Sequence, residues 1–151
     1  MNAIDLLKRH EGFKAKVYLC PAGKQSIGYG YNLEANPLKL PNVVLEELYE
    51  NGISWAKAER LLVGEVNRLE ILLIRELDYY LQLNEARKAV LLNMAYNLGV
   101  NGLMKFKKTL AHIREENYPL AAKEMLNSNW ARQVHGRASE LSLIMRTGAM
   151  R

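Results

Sequence analysis

The sequence predicts an α+β fold that is mostly α: a small N-terminal β-containing lobe and a larger helical C-terminal lobe, joined by a long helix. Three observations predict it. Residues 13 to about 36 alternate and turn as short strands do. A helical period then runs unbroken for more than 20 residues after Ser54. Beyond it, "EARKAVLLNMAYNLG" is apolar nearly all round, as a helix at the centre of a helical lobe would be. At 151 residues the chain has the size of one domain, 1–151, or of two small lobes sharing a core. We assign 13–53 to the β-containing lobe, 54–76 to the linking helix, and 77–151 with 1–12 to the helical lobe.

Residues 3–12 place Ala3, Ile4, Leu6 and Leu7 among polar neighbours, which suits a short amphipathic helix that Gly12 can end. "KVYLC" has strand character, "PAGK" is a turn, and "SIGYGYNL" alternates like a second strand. A sheet of two or three antiparallel strands results, too small to stand without helices against it. Pro37 and Pro41 mark an irregular link. Ser54 is a suitable N-cap for "WAKAERLLVGEVNRLEILLIREL", whose apolar residues Ala58, Leu61, Leu62, Val66, Leu69, Leu72 and Leu73 keep the period. Asn84 caps the next helix and Gly99 stands at its C-terminal end. "LMKFKKTLAHIREE", "PLAAKEMLNSNW" and "GRASELSLIMR" read as three shorter helices, with Pro119 in the first turn of its own. Trp55 and Trp130 read as packing residues. No internal repeat or low-complexity segment occurs.

Hydrophobic residues make up 49% and charged residues 25%, which argues against long disorder. No apolar run approaches the roughly 18 residues a membrane-spanning helix needs, so no stable membrane insertion is expected. "MNAIDLLKRHEGFK" carries charges where a signal peptide would need its apolar stretch, so a cytoplasmic start is expected. One cysteine excludes an internal disulfide, and one cysteine with three histidines at no ligand spacing leaves no metal site expected. The formal charge of +5 favours polyanions without choosing among them. The basic residues are spread rather than clustered with aromatics, so nucleic acid is not the expected partner.

Glu11 ends the first helix beside Gly12 and Phe13. A carboxyl against apolar walls can serve as a general acid, but a lone helix-end glutamate is usually solvated. Cys20, the single cysteine, lies in "LCPAG" beside a Pro-Gly turn with Lys16 and Lys24 near in sequence. Nearby cations favour the nucleophilic thiolate; a single cysteine is otherwise most often a small buried hydrophobe. Ser26 has no His–Asp partnership at serine-hydrolase spacing. His10 points away from Glu11 and belongs on the surface.

Spacing and context together carry more. "HEGFKAKVYLCPAGKQSIGYGYNL" resembles the N-terminal lobe of the phage-type lysozymes, the endolysins of glycoside hydrolase family 24. There a glutamate is followed nine residues on by an aspartate, six further by a threonine, and then by an Ile-Gly-x-Gly turn. Glu11 matches the glutamate, Cys20 stands at the aspartate, Ser26 at the threonine, and Ile27-Gly28-Tyr29-Gly30 at the turn. "NMAYNLGVNGLMKF" (93–106) is similar to the family's central helix. "NWARQVHGRASELSLIMRTG" (129–148) is similar to its C-terminal tail. The likeness runs through nearly the whole chain.

The resemblance implies a lysozyme-like fold in which Glu11 and the sheet loop face each other across a cleft. It implies that Glu11 protonates the glycosidic oxygen, and that the residue at 20, with the hydroxyl at 26, stabilises charge at the sugar carbon and holds the attacking water. Cys20 lacks the fixed charge, since an ordinary thiol is only a few per cent ionised at pH 7. It could attack the sugar carbon as thiolate, orient water, or contribute little. The resemblance further implies substrate contacts at Asn32, Tyr96, Thr109, Glu124 and Arg137. Arg137 either pairs with Glu11 or is a surface helix cation, and Tyr96 could equally be core. The expected substrate is the β-1,4 bond between N-acetylmuramic acid and N-acetylglucosamine in peptidoglycan, cut without a cofactor by a bacteriolytic monomer. The enzyme would wait in the host cytoplasm until a holin-like permeabiliser admits it to the wall. Two rivals stand: a lytic transglycosylase using Glu11 alone, and a non-catalytic wall-binding module. A basic helical DNA binder is more distant, for want of a groove-reading motif.

Overall fold

The computed structural model describes residues 1–150. It is α+β and mostly α: a three-stranded antiparallel sheet and eight α-helices among the described residues. The chain divides into two compact units, Leu7–Glu65, and Met1–Leu6 with the chain from Val66 onward.

The unit Leu7–Glu65 holds most of helix α1 (Ala3–Glu11), strands β1 (Lys14–Leu19), β2 (Gln25–Gly28) and β3 (Tyr31–Asn32), helix α2 (Asn42–Asn51) and the first half of α3 (Trp55–Glu76). Asn2 caps α1 by accepting from Asp5 N at 2.8 Å, and Gly12, at φ +69°, closes it by donating to Lys8 O at 2.9 Å. The expected second strand is two strands, β2 and β3, hinged at Tyr29-Gly30. The sheet order is β1-β2-β3, and Tyr18, Ser26 and Asn32 lie opposite one another across it. Ile27, Leu33 and Leu48 form this unit's core, with Val17, Tyr31, Leu38, Ile53 and Leu61 packed against it. Ser54 caps α3 as expected, accepting from Lys57 N at 3.2 Å.

α2 was not expected: the sequence reads there as irregular link. Val44, Leu45, Leu48 and Tyr49 do recur there at helical spacing, but only Leu48 of the helix is buried. Trp55 does not pack. As first residue of α3 it precedes the buried face that begins at Ala58, and it is 64% exposed.

The second unit holds α4 (Glu85–Met104), α5 (Lys107–Arg114), α6 (Tyr118–Leu126), α7 (Asn129–Gln133) and α8 (His135–Thr147). α4 is the central helix: Ala89 to Ala95 are buried without interruption. Asn84 caps it, accepting from Arg87 N at 2.9 Å. Gly99 breaks the helix with φ +76°, but a further helical stretch follows to Met104, so the expected end is a kink. Helix α5 accordingly starts at Lys107. The stretch 119–130 expected as one helix is two, α6 and α7, because Ser128 starts a new cap by accepting from Ala131 N at 3.1 Å. α6 packs on α5 and α8, and α8 also meets α4 and α7. Leu91, Met94, Leu103, Ile113, Met125 and Leu141 are sealed from solvent in this core.

Candidate active site

Glu11 is the last residue of α1 and is half-buried. Beyond it the backbone turns at Gly12, so Phe13 leads into β1 beside the β2–β3 turn. Tyr29, at the tip of that turn, is held from two sides. The Phe13 ring lies 5.5 Å away, and Lys8 Nζ stands 5.6 Å from its centroid. Lys8 is itself paired with Glu59. The turn therefore sits directly on the C-terminal end of α1. Gly30 presses on the Glu11 carboxyl so closely that a Cβ there would lie 2.8 Å from Glu11 Cδ. Gly30 has φ +69°, a conformation that also favours glycine.

Cys20 follows β1 immediately. Its N–H donates to Lys24 O at 2.9 Å and its carbonyl accepts from Gly23 N at 2.8 Å, closing the "CPAGK" loop. The thiol is free and the residue half-buried. Ser26 lies on β2, 2% exposed, with its hydroxyl donating to Lys24 O at 3.3 Å. That bond is long, so the hydroxyl is only loosely committed. Asn32 uses its Oδ1 to accept from Glu34 N and Ala35 N, both at 2.9 Å. Only its amide N–H groups are left for a ligand by these bonds.

Tyr18 joins these groups. Its phenol is raised above the usual tyrosine range, first by burial and then by the negative charge of Glu11 and Cys20, against a lowering hydrogen bond from the Gly30 backbone. Glu11 and Cys20 thus both lie near enough to Tyr18 to act on its phenol. The sequence reading did not single out Tyr18. The available signal was the strand period, which puts residue 18 on the same face as residue 20.

The remaining expected site residues belong to the helical unit. Thr109 and Glu124 line one groove of about 640 Å³ with Trp130, Lys105, Lys107 and Lys108. Trp130 is its structural wall, donating to Asn97 Oδ1 at 2.7 Å and meeting Phe106 edge-on at 5.9 Å. Thr109 is 2% exposed, so its hydroxyl is offered only at the base. Tyr96 is half-buried on α4. Arg137 donates from Nε to Asn93 Oδ1 at 2.8 Å, and Asn93 is fully buried. The lysines of this groove were not foreseen, although Lys105, Lys107 and Lys108 stand together in sequence as "KFKK". Among the described residues no cluster of His, Cys, Asp or Glu could hold a metal, and no helix is long and apolar enough to cross a membrane.

Comparison with known proteins places this geometry. The family described as phage lysozyme matches residues 8–148. The chain is 29% identical to probable T4-type lysozyme 1 of Dictyostelium discoideum over 97% of its length and 94% of that protein's. It is 29% identical to probable T4-type lysozyme 2 of the same organism, over 97% of the chain and 95% of the relative. It is also 28% identical to the pre-baseplate central spike protein Gp5 of Enterobacteria phage T4, over 98% of this chain but only 28% of that longer one. With a glutamate buttressed by a glycine turn in the matched stretch and the family pattern spanning almost the whole chain, this protein belongs to the phage lysozyme family and is a glycoside hydrolase.

Proposed function

We propose that the chain is an endolysin. It hydrolyses the β-1,4 bond between N-acetylmuramic acid and N-acetylglucosamine and thereby lyses a bacterial host. The observation that carries this reading is the buttressed Glu11, fixed at the end of α1 by Gly30 with Tyr18 and Cys20 alongside. A carboxyl held in one place can give its proton to the glycosidic oxygen as the bond to the anomeric carbon breaks. Water then adds to that carbon and returns a proton to solvent. Cys20 stands where positive charge at the carbon would be met. Ser26, whose hydroxyl is loosely bonded, helps hold the water.

Asn32 contributes its amide to the sugar, and Tyr96, Thr109, Glu124 and Arg137 contribute from the helical unit. The groove lined by Thr109 and Glu124, with an aromatic wall and polar groups at its edge, suits a saccharide face and its hydroxyls. The enzyme works as a monomer, and it reaches the wall from the host cytoplasm when a holin-like partner opens the membrane.

Mass spectrometry of soluble fragments from purified peptidoglycan tests the reading, with Glu11→Gln alongside. Fragments ending in reducing N-acetylmuramic acid, absent from the variant, are expected. The replacement of a carboxylate by Cys20 favours one second reading, a lytic transglycosylase. Its products would be lighter by one water, the 1,6-anhydro form. No fragments from either protein would leave only a wall-binding module.

A further inference from the structure

Helix α5 begins at Lys107 without a side-chain cap: Phe106 holds the N-cap position and has no acceptor to offer. Its first bond runs from Leu110 N–H to Phe106 O at 2.9 Å, so the N–H groups of residues 107–109 have no acceptor within the helix. The first turn holds no acidic residue. It holds two lysines instead, Lys107 and Lys108, set against the helix dipole. Lys105 lies just before them, and all three, exposed, line the groove of about 640 Å³. None of the three is in an ion pair among the described residues. Thr109, in the same turn, lines the same groove. It is 2% exposed, and its hydroxyl has no hydrogen-bond partner among the described residues. Residues 105–109 thus bring cations, an uncapped helix end and a buried, uncommitted hydroxyl to one groove, and each of these favours an oxyanion.

We infer that this end of α5 is a carboxylate site for the peptide stem of peptidoglycan, and that it makes the enzyme selective for stems whose carboxylates are free rather than amidated. The inference rests on peptidoglycan being the substrate. N-acetylmuramic acid carries its peptide stem on the lactyl ether, so a sugar seated in the groove brings the stem with it. Glu124 discriminates among anions. It lines the groove and is in no ion pair with these lysines among the described residues. A polyphosphate meets repulsion there, whereas a stem that carries a diamino acid as well as carboxylates has an ammonium to offer it. Amidation of a stem carboxylate removes the charge that the lysines and the helix dipole attract. It also turns an amide NH₂ toward groups that are themselves donors.

The test reads binding without cleavage, in Glu11→Gln, by calorimetric titration with two muropeptides that differ only in amidation of the stem glutamate. The free-carboxylate form should bind about tenfold tighter, the size of one charge-assisted hydrogen bond. Adding Lys107→Gln and Lys108→Gln should shrink that preference to within about twofold. The same change should hold or raise the thermal midpoint, because cations at a helix N-terminus oppose the dipole. A companion with Lys39→Gln and Lys57→Gln, which removes the same charge from the other unit, should keep the preference. Equal binding of the two muropeptides, or binding of neither, would overturn the inference. So would a preference that survives loss of Lys107 and Lys108, one lost equally in the companion, or one lost together with a lowered midpoint. Binding of a phosphodiester wall polymer under the control of these two lysines, with no discrimination between the muropeptides, would overturn it in favour of phosphate. If the parent releases no fragments from peptidoglycan yet the preference stands, the hydrolase reading has failed and this site remains.

Discussion

Alanine at Gly30 separates backbone strain from displacement of a catalytic group. Gly23 at φ +77°, Gly52 at φ +79° and Gly30 at φ +69° are three of the five glycines with positive φ in the unit Leu7–Glu65. An L-residue there costs about 1 kcal/mol or more, partly offset by a stiffer unfolded chain. Gly23 has nothing within 4 Å of its would-be Cβ, so Gly23→Ala reports the strain alone. At Gly52 the Cβ meets backbone of β1, and at Gly30 it meets the Glu11 carboxyl at 2.8 Å. Ordinary contact lies at 3.4–4 Å, so the carboxyl of Gly30→Ala must retreat by about 1 Å. That predicts a kcat loss of about a hundredfold, or about 2.7 kcal/mol of barrier. Gly23→Ala should lose only about 2–4 °C of thermal midpoint per kcal/mol, with kcat unchanged. The assay is the initial rate of fragment release from purified peptidoglycan, paired with thermal unfolding of each variant. Gly30→Ala retaining kcat within threefold would refute the claim that Glu11 is buttressed there.

Other substitutions probe the rest. Tyr79, 7% exposed and donating to Leu110 O at 3.2 Å, is raised to about 12, mainly by burial. A raised pKa favours the folded state below the unfolded value near 10, and that contribution drains away as pH rises from 10 through about 12. Tyr79→Phe should therefore flatten the fall in stability between pH 8 and pH 11 by about 1.4 kcal/mol in urea titrations; an identical fall would refute it. Asn84→Ala removes the α4 cap and the bond from Nδ2 to Gly148 O at 3.0 Å, and should cost about 1–2 kcal/mol. A urea midpoint unchanged within error would count against it. Cys20→Ala should lower kcat about tenfold or more without loss of stability, and full activity would make the thiol a bystander.

The sequence reading reached the elements whose signals are local. Ser54 and Asn84 cap the helices they were expected to cap, and the run from Ala89 to Ala95 is buried. It failed where one residue does a job its neighbours do not announce. α2 was missed although Val44, Leu45, Leu48 and Tyr49 recur at helical spacing, because Pro37 and Pro41 were read as marking an irregular link. Ser128, between Asn127 and Asn129, divides α6 from α7 by a cap of its own. Trp55 is large and apolar, yet its place at N1 of α3 precedes the buried face. Glu11, Cys20 and Ser26 were singled out by their spacing, and all three lie in the unit Leu7–Glu65. Tyr18 was not singled out; β1 pairs irregularly between Lys14 and Tyr18, where Ile53, more than 30 residues away in sequence, donates to Ala15 O.

The same contrast explains how a cysteine can occupy position 20. The loop that presents it is closed by backbone alone: Cys20 N–H to Lys24 O, Gly23 N–H to Cys20 O, and a left-handed Gly23. None of these contacts consults the side chain, so the fold does not select a carboxylate there. Glu11 is different, for a Cβ at Gly30 would lie 2.8 Å from its Cδ and would displace the carboxyl. On the proposed reading, packing bears on the acid at 11 and leaves the second position to chemistry alone. A neutral thiol cannot balance positive charge at a sugar carbon as a carboxylate does, so a water held by Ser26 must take a larger share, or the thiol must ionise and bond. The stereochemistry of the first-released sugar distinguishes them: inversion if water attacks directly, retention if sulfur attacks first.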